Sequence, residues 1–441
     1  MDTVDLLIDA RWVIPVNPAN RVLERHSVAV RDGRIVAVLP SIDAQGSYHA
    51  AERVQLPRHA LIPGLINLHT HASMALMRGL ADDLPLMQWL EQHIWPAEAK
   101  HVSPQFVYDG TLLAGAEMLR GGVTCMNDMY FFPGDAARAA LDLGMRAALG
   151  IIVIDFPSAY ATDAEDYLAK GLGLRDTMGE HELLSFCMAP HAPYTVSDKS
   201  FTRLLTVAEE LDLPVHIHLH ETPGEIDQSL AQHGARPLER LHRLGLVGPN
   251  LIAVHAVHLT DAEIELLARH GSSVAHCPSS NLKLASGFAP VAKMLDRGIN
   301  VGLGTDGAAS NNRLDMFAEM RLAALLAKTV SANAQALPAH RALSMATLDA
   351  ARALRLDQSI GSIEPGKFAD LTAVEFAAPD LLPCYDPISH IVYAAGRENV
   401  SHVWVAGKLL VEDRVLIAAP KYDLENLAVL WQNRLSMETK A

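Results

Sequence analysis

Eight short apolar runs, each followed by a stretch of helical periodicity, constrain this chain more than any other feature. They are LIPGLINLHTH, GVTCMNDM, RAALGIIVID, LLSFCMAPH, LPVHIHLHE, LIAVHAVHL, SSVAHCPSS and NVGLGTDG, spread over residues 61–307. Stretches such as QFVYDGTLLAGAEMLRG and FTRLLTVAEELD, with apolar residues three and four apart, separate them. Strand and helix alternating eight times is the pattern of a (β/α)8 TIM-type barrel, an α/β fold, which we place over residues 61–362. Barrels of this kind carry their active sites at the C-terminal ends of the strands, where several of these runs carry His, Asp or Glu.

The two chain ends read differently. VDLLIDARWVIPV, HSVAVRDGRIVAVLP and ERVQLPRHALIP near the N-terminus are Val/Ile/Leu-rich, with Asp32-Gly33 as a hairpin signal. ADLTAVEF and SHVWVAGKLLVEDRVLIAA near the C-terminus match them in character. The expectation is one small composite β-sandwich domain from residues 1–60 and 363–441.

A net charge of −15 argues against a nucleic-acid or anionic-membrane surface, either of which needs an excess of Lys and Arg. There is no apolar stretch of the length a transmembrane helix requires, and the N-terminus has no basic segment ahead of an apolar run. Four scattered cysteines without a CxxC pair fit a reduced, cytoplasmic compartment.

His69 and His71 end the first apolar run, two residues apart. Strand alternation puts both imidazoles on one face, where they can share a divalent ion. In a chain with 21 histidines such a pair also arises by chance. In the fifth run His216, His218 and His220 alternate with Ile217 and Leu219 and so are expected on one face. One or two of them can reach an ion; the others are read as packed inside the barrel. Glu221 follows where the strand should break, and Asp306 ends the eighth run before a glycine. Three imidazoles and one carboxylate on strands one, five and eight would make a mononuclear site.

PGLINLHTH, HIHLHET, AVHAVHL, HCPSSNLKL and GTDGAASNN, in this order, resemble the strand-end motifs of the amidohydrolase superfamily, above all its aminohydrolase branch of deaminases and triazine chlorohydrolases. The resemblance covers nearly the whole chain. It implies that His69, His71, His218 and Asp306 hold one divalent metal, zinc ahead of iron, manganese or cobalt. It makes Glu221 a proton shuttle and His255 the residue that orients the attacking water; His258 and His276 are secondary, and His258 is read as structural. Binuclear members carry a carboxylated lysine on strand four, and LLSFCMAPH contains none. His191, which ends that run, is either a substrate contact or a histidine bonded to a loop.

SMALMRGLADDLPLMQWLEQHIWPAEAK resembles the corresponding loop of methylthioadenosine/S-adenosylhomocysteine deaminases. That resemblance makes Glu98 the acceptor of the ribose hydroxyls and Trp89 a wall of the nucleoside pocket. Taken singly, Trp89 and Trp95 read as an apolar stripe in a lid, and Glu98 as a surface acid. Met74, Met77 and Met87 are either padding for a thioether tail or core. Between the third and fourth runs, where dual-specificity members place arginines for the homocysteine carboxylate, stand Asp163, Glu165, Asp166 and Lys170, with Arg175 beyond. The implied reaction is hydrolytic deamination of an adenosine-type nucleoside, 5′-methylthioadenosine above S-adenosylhomocysteine or adenosine. Guanine or 8-oxoguanine deamination and triazine dechlorination are the rivals within this chemistry; a binuclear cyclic-amide hydrolase and a non-catalytic scaffold lie outside it. A small purine nucleoside is the expected partner, and the resemblance adds a homodimer.

Overall fold

The computed structural model describes residues 1–418 and 422–436. Positions 419–421 and 437–441, which fall in the expected C-terminal part of the β domain, lie outside the described residues. The chain opens with β1 (Asp2–Val13), β2 (Leu23–Arg31), β3 (Arg34–Pro40) and β4 (Tyr48–Pro63). Eight strands follow at the eight apolar runs: β5 (Leu65–Thr70), β6 (Val123–Asp128), β7 (Arg146–Val153), β8 (Leu184–Pro190), β9 (Val215–Leu219), β10 (Leu251–His255), β11 (Ser273–His276) and β12 (Asn300–Leu303). The chain then returns through β13 (Leu371–Glu375), β14 (Val400–Val405), β15 (Lys408–Glu412) and β16 (Val415–Leu416).

Both chain ends enter one eight-stranded sheet, ordered β16-β15-β14-β13-β4-β1-β2-β3. The antiparallel pair β4–β13 joins them, and β1–β4 is parallel. The expected hairpin joins β2 to β3, with positive φ at both Asp32 and Gly33, as a tight turn of the primed type requires. Leu6, Ile8, Val28 and Val30 from one half of the sheet share a core with Leu371, Ala373 and Trp404 from the other.

The barrel strands run parallel in chain order from β5 to β12. Most are buried along their whole length, which is why they read as apolar runs rather than alternating ones. The barrel closes between β5 and the end of β12. Asn67 stitches this seam: its Nδ2 donates to Thr305 Oγ1 at 2.7 Å and its Oδ1 accepts from Thr305 N–H at 2.9 Å. Asp306 N–H then donates to His69 O at 2.9 Å. A Cβ at Gly304 would lie 2.7 Å from the His69 backbone nitrogen, so only glycine allows this approach. The seam therefore sets Asp306 beside the histidines of the first barrel strand. No helix among the described residues is long and apolar enough to cross a membrane.

Candidate metal and catalytic site

At the C-terminal end of the barrel, four imidazoles and a carboxylate converge. Asp306 Oδ1 lies 3.3 Å from His69 Nε2 and 3.2 Å from His71 Nε2, and His69 Nε2 is 3.2 Å from His218 Nε2. His255 also brings a ring nitrogen within 4.8 Å of those of His69 and His218. The other face of each ring is engaged. His71 Nδ1 donates to Met129 O at 2.6 Å, His218 Nδ1 to His191 O at 2.7 Å, and His255 Nδ1 to Asn281 Oδ1 at 2.8 Å. His69 Nδ1 faces His216 Nε2 at 3.0 Å. Since carbonyl oxygens only accept, these bonds fix the tautomers and turn the Nε2 lone pairs of His71, His218 and His255 inward.

Such a convergence of lone pairs fits a divalent cation and little else. The electrostatics agree. Burial pulls His71 down, yet the hydrogen bond and charge of Asp306 outweigh it and hold the imidazole up at about 9. Burial raises the Asp306 carboxyl in turn, but its bonds to His69 and His71 keep it well below the usual carboxylate range. The proton so favoured sits on His71 Nε2 against Asp306 Oδ1, and a cation there would displace it and draw on the lone pair. His69, with burial dominant, is pushed down to about 4, and His218 well below its ordinary value. The remaining Asp306 acceptors are used: Oδ2 by Ser280 Oγ at 2.7 Å and Ser310 Oγ at 2.9 Å, Oδ1 by Gly307 N–H at 2.7 Å. His255 and Asp306 both have positive φ, +69° and +63°, a strain common where backbone is bent to serve a site.

The three histidines of the fifth run do not share one face. His216 and His218 point into the barrel, but β9 ends at Leu219 and His220 turns left-handed at φ +55°. The alternation breaks there, and the His220 ring accepts from Leu238 N–H and meets His258 O instead. His258 donates to Ser286 O, a structural bond. His276 is buried and does not line the main cavity.

A cavity of about 320 Å³ opens over the cluster. His71, His191, His218, Glu221, His255 and Asp306 form its floor. Glu221 carries one oxygen 3.7 Å from His255 Nε2 and the other 3.5 Å from Ser286 Oγ; burial raises its carboxyl. His191 Nδ1 lies 3.1 Å from Thr195 Oγ1, and burial pushes the ring down to about 3. Glu98, Trp89, Trp95 and Met74 line the walls, whereas Met77 is core and Met87 is exposed. Tyr130 is buried with its hydroxyl donating to Glu98 Oε1 at 2.6 Å. Burial raises the Glu98 carboxyl, an effect the Tyr130 bond opposes.

The acids between β7 and β8 are not at the cavity. Asp163 caps the helix Ala164–Met178 by accepting from Asp166 N–H, and Asp166 pairs with Lys170. The part of that loop facing the cavity is Phe156, Pro157, Ser158 and Ala159. None of the described lining residues is Lys or Arg. Sequence reading also missed Tyr130, Asn281 and Glu225, whose roles depend on partners that only folding brings near.

A model of the amidohydrolase family matches residues 60–410. The chain belongs to this family. The amidohydrolase is 47% identical, over 98% of its length and 97% of the relative's, to a 5-methylthioadenosine/S-adenosylhomocysteine deaminase of Saccharophagus degradans. It superposes with a TM-score of 0.98 on the crystal structure of an adenosine deaminase from Xanthomonas campestris with bound zinc, at 51% identity and 99% coverage of each chain. An atrazine chlorohydrolase from Arthrobacter aurescens matches with a TM-score of 0.89 and 26% identity, over 98% of this chain and 100% of that one.

Proposed function

We propose that this amidohydrolase converts 5′-methylthioadenosine and water to 5′-methylthioinosine and ammonia, with S-adenosylhomocysteine and adenosine as poorer substrates. The observation that carries the reading is the cavity: a carboxylate, Glu98, on an otherwise largely apolar wall without Lys or Arg, above the His/Asp cluster. A carboxylate suits a vicinal diol, because its oxygens accept several hydrogen bonds. A free base or a triazine brings no diol to it. The named deaminase relatives support the same choice.

In this assignment the barrel, 61–362, is the catalytic unit and the composite β domain, 1–60 and 363–441, supports it. His69, His71, His218 and Asp306 would hold one divalent ion, zinc ahead of iron, manganese or cobalt. When bound, the ion acidifies water toward neutral pH and acts as a Lewis acid.

The protein supplies the rest. Asp306 accepts a proton from the attacking water. His255, its Nδ1–H committed to Asn281, presents Nε2 as an acceptor and orients that water toward C6 of the purine. Glu221 delivers its proton to ring N1, takes up the proton of the new C6 hydroxyl as the carbonyl forms and passes it to the departing amino group; ammonia leaves, and the proton that Asp306 took from water restores the Glu221 acid. Trp89 and His191 border the nucleoside, and Phe156 and Pro157 offer an apolar wall to a methylthio tail. A homocysteine carboxylate finds no Lys or Arg among the described lining residues. Cytoplasmic location and a homodimer complete the reading; light scattering after size exclusion measures the latter.

Steady-state ammonia release from the zinc-loaded enzyme tests the proposal. We expect kcat/KM to be highest for 5′-methylthioadenosine, with guanine and triazines inert. Equal values for the two thioether nucleosides would overturn the preference.

A further inference from the structure

Glu225 is absent from the cavity wall, yet it grips the turn that carries Glu221. Its Oε1 accepts from His220 N–H at 3.0 Å and its Oε2 from Glu221 N–H at 2.8 Å. These are the two residues that follow the last residue of β9. Glu225 is 7% exposed and sits in the first turn of the helix Pro223–His233. Thr222 Oγ1 accepts from Glu225 N–H at 3.4 Å and caps that helix, so helix initiation has its own acceptor.

His220 has φ +55°, a conformation that L side chains rarely hold unless the surroundings impose it. Leu238 N–H fixes its ring at 3.0 Å, and Glu225 fixes its backbone. The Glu221 side chain is far less restrained, with contacts no shorter than 3.5 Å to Ser286 and 3.7 Å to His255. Its direction is therefore inherited from the backbone on which it stands.

We propose that Glu225 is a positioning residue: its two-pronged hold on the N–H groups of His220 and Glu221 maintains the left-handed turn that aims Glu221 into the cavity beside His255. Each of the two adjacent N–H donors meets its own acceptor oxygen, a pairing that a carboxylate provides. An amide provides one oxygen and one NH₂, and the NH₂ would face an N–H in a buried place. The inference rests on the shuttle role proposed for Glu221.

The test is a double-mutant cycle on the zinc-loaded full chain: Glu221→Gln, Glu225→Gln and both together, with metal content and melting temperature measured for each. Glu225→Gln should lower kcat about 100-fold, the cost of a small misplacement of a catalytic group. KM for 5′-methylthioadenosine should stay within about three-fold of wild type, with metal content unchanged. In the double variant kcat should fall no more than about three-fold below that of Glu221→Gln alone. Multiplying losses in the double variant would show that Glu225 acts independently and would overturn the inference while leaving the shuttle intact. Unchanged kcat in Glu225→Gln overturns it equally. Full activity in Glu221→Gln removes the shuttle and this inference with it. Should Glu225→Gln fail to fold, Glu225→Asp, which keeps the charge but shortens the reach, goes through the same cycle with the same criteria.

Discussion

Replacing Glu98 by glutamine isolates the contact proposed to separate a nucleoside from a free base. In the wild type Oε1 is taken by the Tyr130 hydroxyl at 2.6 Å, so Oε2 is the oxygen left for a ribose hydroxyl. The Tyr130 phenol is raised well above its ordinary range, by burial first and by Glu98 next, and stays a donor throughout the working pH range. In Glu98→Gln an amide oxygen kept toward the Tyr130 hydroxyl preserves that bond and turns the NH₂ toward the sugar. The diol then loses a charged acceptor. Hydrogen bonds to charged groups contribute about 1.5–3 kcal/mol, so kcat/KM for 5′-methylthioadenosine should fall about 10- to 150-fold. The control is 2′,3′-dideoxyadenosine, which has no diol and should lose less than about three-fold. The absorbance change from adenine to hypoxanthine follows both reactions. Equal losses on the two substrates would refute the reasoning, since the damage would then lie in the cavity as a whole. Tyr130→Phe should show the same selectivity at smaller amplitude, because it releases Glu98 without removing it.

Three further outcomes follow from other parts of the molecule. Chelation of the holoenzyme should abolish activity and lower the melting temperature, and zinc should restore both at one ion per chain; two ions per chain by elemental analysis would favour a binuclear hydrolase. Arg146 and Asp370 form a buried pair with contacts of 2.9 and 3.2 Å, so Arg146→Leu strands a buried carboxylate and should cost about 3–5 kcal/mol in urea unfolding, much of it recovered in the Arg146→Leu/Asp370→Leu double variant. His59, near Glu375, His402, Arg58 and Arg414, is pushed down to about 4, chiefly by burial. The unfolded chain takes up a proton near pH 6.5 and the folded one only near 4. Stability from this group is therefore full above 6.5 and lost as pH falls toward 4, up to about 3 kcal/mol. His59→Gln should flatten that part of the stability profile, and an unaltered slope would count against the assignment.

Apolar runs made the barrel readable because each of its strands is buried on both faces. That same burial hid the closure: nothing in the spacing of LIPGLINLHTH and GLGTDG says that Asn67 pairs with Thr305 or that Gly304 lets the chain pass His69. Alternation along a strand located His69 and His218 because it is a local rule. It failed at His220, one residue past the strand end, where a left-handed turn replaces the pleat. Glu98 looked like a surface acid for a related reason, since Tyr130 lies 32 residues away in sequence. The residues that converge at the candidate metal site were thus legible from period and order. Their hydrogen-bonded neighbours were not, because Asn281, Glu225 and Tyr130 meet His255, the His220–Glu221 turn and Glu98 through a single hydrogen bond or a pair of them, and such bonds leave no periodic mark. The prominent motifs therefore tell which chemistry the amidohydrolase supports, while the proposed controls on its efficiency and its substrate lie with partners that have no motif of their own. The Glu98 and Glu225 variants separate these two contributions, one through selectivity for a diol in kcat/KM and the other through kcat.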